Sequence, residues 1–569
     1  MKKIKIIISL GFIFLLFGCN SWLDKEPLTQ FTDDQYWTSE GNVKIFCNGF
    51  YSLFNGYGTG SASSIFTYAG SGAESDYYFT TFNDDQANNN IDIFSTSVPA
   101  SSTTWSTPYN YIRLANLLLA RVDRVPTGAA VINHYKGVAY FFRAFEYFEL
   151  VKRYGDVPLA NKYLDQDIDQ SIIWGGRVSR NIVMDSVLND LNKAVGGLYD
   201  KSKADVNAVN KDIANALKSR ICLYEGTYSK YVLKDNARAS KYLTEAKTAA
   251  EAVMATGNYS LNADYRTIYS SLDLTGNKEV LLYRLYQDGI VTHSVVGYCN
   301  SSTIISGLTK DAVESFLCTD GQPISTSPLY KGDVPDSKLS IGQTTLKNRD
   351  KRLIAMVDSI ICYTKKPNAS GFTSTTGYKI TKFDNSTLTK TQILAPNNPT
   401  DAPVFAYSEV LLNEAEACAE LGVLTQDIAN NTINKLRSRA GVTAMDILNL
   451  PTDSKRDADV PALIWEIRRE RRVELMMNGM RYWDLRRWGK VSYLDSSVKP
   501  DIFKGAKAPA GTSGSPGGQD PNGYILPYSN ASVAKRVVAL PKNNLDPIPS
   551  GQLNLYKNQG VDFPQNTGW

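Results

Sequence analysis

A short stretch near the start of the chain combines the residue types that bind an amphipathic ring. It runs Asp76-Tyr77-Tyr78-Phe79-Thr80-Thr81-Phe82-Asn83-Asp84. Its aromatic side chains offer flat apolar faces, and the carboxylate, amide and hydroxyl groups beside them can hydrogen-bond to ring hydroxyls. This chemistry suits sugars, so we predict ligand-binding roles for Asp76, Tyr77, Tyr78, Phe79 and Phe82. For each aromatic residue, packing in a core is at least as strong an alternative, and Asp76 could instead stabilise a turn.

Catalytic chemistry has little support in the sequence. The only two histidines are His134, in a helical pattern, and His293, in a polar region, which argues against histidine-dependent catalysis or a histidine-rich metal site. A glycosidase needs a protonated carboxylic acid and a second carboxylate across the scissile bond, and no motif singles out such a pair among 57 Asp and Glu residues. We therefore expect no enzyme activity, no metal and no cofactor. A surface glycoside hydrolase and a helical scaffold that binds only protein are the alternatives.

The first nineteen residues have the pattern of an export signal. Three lysines precede an apolar run, residues 6–17, which is too short for a typical membrane span. The run ends in Leu16-Phe17-Gly18-Cys19, which matches the Leu-x-Gly-Cys box of bacterial lipoproteins, whose cysteine is acylated. We predict a signal peptide over residues 1–18 and lipidation of Cys19. An ordinary signal peptide with a chance cysteine is the alternative.

Charge and length constrain what the rest of the chain can be. Removing residues 1–18 takes away three lysines, so the formal charge falls from +4 to +1, which gives no general attraction to nucleic acid or to an anionic membrane. We expect a lipid tether and spacer over residues 19–37, an N-terminal region over 38–260 and a C-terminal region over 261–569. Residues 38–569 are expected to form one globular unit.

Periodic apolar residues predict a mainly α-helical fold. Over residues 109–124 and 131–153, apolar side chains recur every three to four positions, and Pro126 and Gly155 follow the ends. Further helices are predicted over residues 38–54, 181–198, 211–230, 237–256, 405–422, 426–440 and 461–478. Several form pairs of tetratricopeptide-repeat size, so we predict a degenerate helical-repeat scaffold with a few short strands, one of them over residues 279–286.

Two segments lack this periodicity. Residues 55–107 are rich in Gly, Ser, Thr, Asn and aromatic residues. A loop of that length in a folded protein is usually functional or disordered, and its aromatic content argues against disorder. Residues 497–530 are biased towards Gly, Pro and Ser, which predicts an exposed flexible loop.

Four arginines between positions 468 and 472 could be taken for a nucleic-acid-binding patch. Glutamates recur at every fourth position among them: Glu466, Glu470 and Glu474. That spacing predicts intrahelical ion pairs that neutralise the stripe. The segment from Trp483 to Trp488 predicts a buried corner in which guanidinium groups stack on indoles. We assign both segments to the fold and not to a ligand.

Several segments together resemble one known family. They are Trp105–Tyr109 and Ile112–Asn116, Phe142–Phe148 with Arg153–Leu159, Arg177–Arg180, Ile467–Leu475 leading through Gly479-Met480-Arg481 to Trp483–Lys490, and Leu545–Pro549 with Pro564-Gln565-Asn566. Each is weak alone, but their order and spacing resemble the SusD/RagB-type outer-membrane nutrient-binding lipoproteins of Bacteroidota-type bacteria. The similarity extends from the lipoprotein box to the C-terminus.

The resemblance implies a SusD-like fold, mainly α, with tetratricopeptide-like helical pairs as a scaffold and a loop-rich ligand face. It also implies capture of oligosaccharides, or in some members peptides, for a SusC-like TonB-dependent transporter, without cleavage. In such proteins aromatic residues from an early loop and from the middle of the chain form the glycan platform, which points to Tyr286, Tyr298 and Asn300. Residues 20–24 lack the acidic pair associated with surface export, so an outer-membrane, cell-surface location follows from the resemblance alone.

Overall fold

The computed structural model describes residues 33–59, 82–88, 94–299, 306–362, 374–509, 518–527 and 535–569. They fold into a mainly helical structure, as predicted. The helices of six or more residues are α1 (Glu40–Asn48), α2 (Thr103–Arg121), α3 (Ala129–Tyr154), α4 (Arg180–Gly197), α5 (Lys211–Tyr228), α6 (Asn236–Ala255), α7 (Lys310–Ser315), α8 (Lys351–Met356), α9 (Tyr407–Glu420), α10 (Gln426–Asn431), α11 (Ile433–Ala440), α12 (Ala462–Glu474), α13 (Arg481–Arg487) and α14 (Ser550–Asn558). Shorter helical turns lie at Asp33–Tyr36, Gln170–Ile173, Thr267–Ser270 and Val295–Cys299. Among the described residues, no helix has the length and apolar character needed to cross a bilayer.

Two small antiparallel sheets accompany the helices. Their strands are β1 (Gln86–Asn88), β2 (Val280–Arg284), β3 (Ser306–Leu308) and β4 (Ala402–Ala406). Strand β1 pairs with β3 and β2 pairs with β4, with Leu282 opposite Phe405. Strand β2 lies within the predicted strand, and β4 leads directly into α9. Each sheet therefore joins segments that are far apart in the chain.

The helices pack on one another largely in chain order. Helix α2 packs on α3, α3 on α4, α4 on α5 and α5 on α6; α9 then packs on α5 and α6, and α12 packs on α9. The contact between α5 and α6 is close at Gly226, where an added Cβ would lie 2.7 Å from Leu243 Cγ. A larger residue would hold the two helices apart. This layer of neighbouring antiparallel helices is the predicted helical-repeat scaffold.

Helix α3 connects this layer to the C-terminal part of the chain. Its aromatic residues Phe141, Phe142 and Tyr147 are buried in the main core. The helix ends at Gly155, whose φ of +72° favours glycine, and an added Cβ there would lie 2.9 Å from Leu545 Cδ1. The helix end and the C-terminal segment therefore fit together only without a side chain at this position.

The predicted start of α2 was wrong. The helix begins at Thr103, six residues before Tyr109, so Pro108 lies inside it. Proline in a helix interior is costly. Trp105 compensates because it is buried, with its ring centroid 4.9 Å from that of Tyr154. Tertiary packing thus extends the helix into the segment predicted to be a loop.

The helix predicted over residues 426–440 is interrupted. Helix α10 ends at Asn431 and α11 begins at Ile433, because Thr432 has non-helical dihedral angles, with φ −123° and ψ −93°. The Thr432 hydroxyl donates a hydrogen bond to the Ile428 carbonyl, which competes with the backbone bonds of a continuous helix. Helices α13 and α14 were not predicted from periodicity.

Candidate ligand-binding site

Two described parts of the chain hold the segment that contains residues 76–84, the aromatic stretch, and we call them anchors. The first anchor comprises residues 54–58, on the N-terminal side. Arg284, at the end of β2, donates from Nη1 to the carbonyls of Phe54 and Asn55, at 2.9 and 3.0 Å. The Tyr286 hydroxyl donates to the Gly58 carbonyl at 2.5 Å. These bonds hold the backbone of residues 54–58 against the β2–β4 sheet.

The second anchor lies on the C-terminal side, at Asp84 and Asp85. The Asp84 carboxylate accepts two hydrogen bonds from Arg481, at 2.8 and 2.7 Å, and Asp85 accepts one from Arg472 at 2.7 Å. Burial raises the pKa of Asp84, but Arg472 and Arg481 outweigh burial and hold the pKa well below its usual range. Asp84 is therefore ionised and buried, and its ion pairs join the aromatic stretch to helices α12 and α13.

The ends of several irregular segments meet beside this second anchor. We call this region the loop base, and it comprises residues 82–87, 306–308, 374–378, 505–508 and 523–525. The Thr375 hydroxyl donates to the Ala87 carbonyl at 2.5 Å, Ala506 N donates to the Thr376 carbonyl at 2.8 Å, and Ile525 N donates to the Ala506 carbonyl at 2.9 Å. Together with the β1–β3 pairing, these bonds join five distant parts of the chain into one rigid support.

The loop base borders the sequence positions with the richest potential for ligand contact. Its residues directly adjoin positions 60–81, 300–305 and 363–373, which include Asp76, Tyr77, Tyr78, Phe79 and Asn300. These five residues and Cys19 lie outside the described residues. Tyr298 lies in the turn Val295–Cys299, but its side chain is also outside them. The roles predicted for all seven remain predictions.

Phe82 is described, and it is completely buried. Its ring lies edge-on to Phe94 and Tyr482, at centroid distances of 4.6 and 5.4 Å, and the Arg536 guanidinium lies 4.9 Å from its centroid. This is the packing alternative that the sequence left open. A ligand could reach the Phe82 ring only after these neighbours moved, and its predicted ligand contact stays a prediction.

Tyr286 is also buried, as part of an aromatic cluster. Its ring stacks on Tyr57 at 6.2 Å and meets His293 edge-on at 4.7 Å, while its backbone N donates to Asp401 Oδ1 at 2.8 Å. Burial raises the pKa of Asp401 to about 6 and lowers that of His293 to about 3. In this arrangement Tyr286 supports the first anchor, and direct ligand contact by its ring stays a prediction.

Sequence reasoning missed the residues that hold the two anchors. Arg284 and Asp84 were not singled out. Arg284 lies between Tyr283 and Leu285, a charged residue among apolar and aromatic neighbours, which can indicate a buried polar contact, whereas Asp84 lies between Asn83 and Asp85 and has no such signal. Their partners are distant in sequence: Asp84 and Arg481 are 397 positions apart. Local spacing carries no information on such a pair.

The arginines and glutamates of α12 form ion pairs, but mostly not within the helix. Arg469 pairs with Glu466 as predicted, whereas Glu474 pairs with Arg352 and Arg439, which lie on other helices. Arg471 pairs with Asp484 of α13. The expectation of mainly intrahelical pairs was therefore wrong, because the carboxylates face buried arginines of neighbouring elements. The conclusion that this helix serves the fold is unchanged.

The segments that carry the family resemblance also meet in space. The Arg177 guanidinium donates to the carbonyls of Tyr154, Asp156 and Pro564, at 2.8 to 2.9 Å, and to Asn566 Oδ1 at 2.6 Å. In the predicted corner, Arg487 lies 4.7 Å from the Trp488 centroid and pairs with a buried glutamate of α9. Through Arg177, residues 154–177 are bonded to the C-terminal residues 564–566.

Two family models match this mainly helical chain. The model described as "SusD family" matches residues 300–569, and the model described as "Starch-binding associating with outer membrane" matches residues 21–223. The chain belongs to the SusD/RagB family.

Similar proteins extend over nearly the whole chain. SusD-like protein P38 from Formosa agariphila is 25% identical over 534 residues, covering 86% of this chain and 93% of the relative. SusD-like protein P2 from the same organism is 23% identical, covering 95% of this chain and 99% of the relative.

Solved structures share the fold. A SusD-like carbohydrate binding protein from Bacteroides fragilis matches with a TM-score of 0.69 at 22% identity, covering 91% of this chain and 99% of that chain. A laminarin binding SusD-like protein matches with a TM-score of 0.54 at 19% identity, covering 94% of this chain and 100% of that chain.

Proposed function

We propose that the protein is a non-catalytic, glycan-binding lipoprotein that captures oligosaccharides and passes them to a SusC-like TonB-dependent transporter of the outer membrane. The observation that carries this proposal is the loop base, where five distant segments are bonded together beside a stretch rich in aromatic, amide and carboxylate groups. Loops on a rigid scaffold are the usual place for binding residues. The family and its carbohydrate-binding relatives support the same function.

The binding step would combine ring stacking with hydrogen bonds. Tyr77, Tyr78 and Phe79 would stack on the apolar faces of sugar rings, and Asp76 and Asn300 would hydrogen-bond to ring hydroxyls. The chain is anchored at residues 54–58 and at Asp84 and Asp85, so less conformational freedom would be lost when a glycan binds between these positions than in an untethered loop. The anchors thus favour affinity without touching the ligand.

Attachment to the membrane would come from lipid on Cys19. The nearly neutral body supplies no general electrostatic attraction to a membrane, and one acyl chain alone holds a protein only marginally. The several chains of a bacterial lipoprotein anchor would hold it stably. The spacer would be shorter than the predicted range to residue 37, because Asp33 pairs with Arg121 and Trp37 is buried in the main core.

Affinity electrophoresis on a panel of polysaccharides tests this proposal. The soluble chain that lacks residues 1–19 is run through gels containing each polysaccharide, and reducing ends are assayed after incubation. Retardation by one glycan class without new reducing ends is the expected result. Release of reducing sugar would instead indicate a glycoside hydrolase, and no retardation together with binding to a peptide library would indicate a peptide-binding member of the family.

A further inference from the structure

A cavity of about 90 Å³ lies beside α12, and its lining includes Arg472 and Arg481, which hold Asp85 and Asp84. We call it the α12 cavity. Residues of α7, α12 and α13, the segments 323–325 and 453–455, and residues 488–499 line it. Trp465, Trp488 and Tyr493 contribute aromatic rings, and Lys455 and Lys499 lie among its more exposed members. Nothing in the proposed function uses this cavity.

The ion pairs around the α12 cavity are oriented so that most of their cationic side chains line it. Seven of its seventeen lining residues are cationic and three are acidic. Each arginine of the wall pairs with a carboxylate that does not line the cavity: Arg468 with Glu420, Arg469 with Glu466, Arg472 with Asp85 and Arg481 with Asp84. The three acidic lining residues, Asp311, Glu314 and Asp453, are themselves paired with Arg472, Lys455 and Arg469. Lys490 and Lys499 are also paired, with Asp457 and Asp459, which do not line the cavity. The lining side chains themselves therefore carry an excess of four positive charges, seven cationic against three acidic.

Arg468, which lines the cavity, has two buried nitrogen atoms without a hydrogen bond in the described part of the chain. Its guanidinium lies between two rings, 4.7 Å from the Tyr231 centroid and 4.6 Å from the Trp488 centroid, and the residue is 6% exposed. Its Nε and Nη2 atoms make no hydrogen bond with the described residues, and Glu420 Oε1 lies within ion-pair distance of Nη2 at 3.5 Å. The same pair of atoms binds a carboxylate in Arg143, Arg220 and Arg481.

Trp465 and Tyr493 contribute aromatic rings to the wall of the cavity. Both are half-buried, and Trp465 is held in place because its Nε1 donates to Asp453 Oδ2 at 2.8 Å. Aromatic faces beside cationic groups suit a sugar ring that carries an anionic substituent, because a guanidinium group can donate two hydrogen bonds to two oxygens of a carboxylate or of a tetrahedral oxyanion. From these observations we infer that the α12 cavity, which adjoins the loop base at Arg472 and Arg481, is a second binding site, for a sugar unit bearing a carboxylate or sulfate group.

Isothermal titration calorimetry at about 50 mM salt, where surface charges are weakly screened, tests this inference. The probes are trigalacturonate, a sulfated carrageenan tetrasaccharide and neutral laminaritriose, each titrated into the soluble chain that lacks residues 1–19. The test variant is the double substitution Lys455→Glu and Lys499→Glu. The control is Lys44→Glu with Lys241→Glu, which makes the same change in net charge at exposed lysines far from the cavity.

One acidic probe should bind, and which one binds distinguishes a carboxylate from a sulfate. The test variant should weaken that binding at least tenfold, whereas the control variant should change it less than twofold. No heat from either acidic probe, or equal weakening by both variants, would overturn the inference. Loss of acidic-probe binding in the variant Tyr77→Ala with Tyr78→Ala would also overturn it, because the ligand would then lie at the loops, where the proposed function places glycan binding.

Discussion

Asp84 shows how a single carboxylate can hold a loop in place. It is buried against Arg472 and Arg481, so Asp84→Asn leaves two buried guanidinium groups with less compensating charge. Breaking a buried ion pair by removing one partner costs about 3–5 kcal/mol, and we expect the free energy of unfolding in urea to fall by about this amount. The exposed pair Lys44–Asp205 provides the control: Asp205→Asn should cost less than about 1 kcal/mol. Equal stability of the Asp84 variant and the parent would contradict a stabilising buried ion pair between Asp84 and these arginines.

His293 should make stability depend on pH. It is buried with both ring nitrogens in hydrogen bonds, to Thr400 and to Val295 N, and burial lowers its pKa to about 3 in the folded state. The unfolded chain takes up a proton near pH 6.5, so stability is lost as pH falls from about 6.5 towards 4, by about 1.4 kcal/mol per pH unit. The variant His293→Gln lacks this loss. Urea unfolding of both proteins at pH 7, 6 and 5 should therefore show the parent losing stability relative to the variant, and parallel curves would contradict the burial of a neutral imidazole.

The contact between α5 and α6 depends on a small residue at one point. An added methyl group at Gly226 would meet the side chain and the backbone N of Leu243 at 2.7 and 3.0 Å. Gly226→Ala should therefore lower the free energy of unfolding by about 1–3 kcal/mol through overpacking. Gly196 in α4 is the matched control, since an added Cβ there meets nothing within 4 Å. Gly196→Ala should be neutral or stabilise by up to about 1 kcal/mol, and a stable Gly226→Ala variant would show that these helices are not closely packed.

At the same scale, the sequence was informative about helices and less so about their ends. Helices such as α3 and α5 could be predicted because apolar residues recur with the helical period along them. The start of α2 could not, since it depends on Trp105 packing against Tyr154, a residue of another helix. The break at Thr432 depends on one hydroxyl that competes for a backbone carbonyl. The first end is thus decided by a contact with another helix, and the second by a local side-chain hydrogen bond that the apolar period does not reveal.

The candidate site was predictable only in its chemistry. An aromatic stretch with adjacent carboxylate and amide groups was visible, but which rings are covered was not: Phe82 is buried by Phe94 and Tyr482. Burial depends on residues hundreds of positions away, as does the pairing of Asp84 with Arg481. Residue type therefore indicated a sugar-binding surface, while the three-dimensional structure was needed to identify its supports.

The whole described chain should unfold as one unit. Arg220 pairs with Glu409 and Lys230 with Glu420, which joins α5 and the turn after it to α9. Arg177 bonds to Asn566 across the same boundary. Differential scanning calorimetry should therefore show a single cooperative transition, whereas two separated transitions would mean that the N-terminal and C-terminal regions are independent domains.

Glycan binding by the aromatic stretch is tested most directly by titrating the glycan that retards the protein in affinity electrophoresis into matched variants. Tyr77→Ala and Tyr78→Ala remove predicted stacking faces, while Tyr163→Ala removes a half-buried tyrosine that contacts Arg113 on the helical side. Stacking of an aromatic ring contributes about 1 kcal/mol or more, so each of the first two variants should weaken binding about fivefold or more, with Tyr163→Ala unchanged and all three equally stable to heat. Unchanged affinity in both loop variants would place the ligand elsewhere and contradict glycan binding by the aromatic stretch.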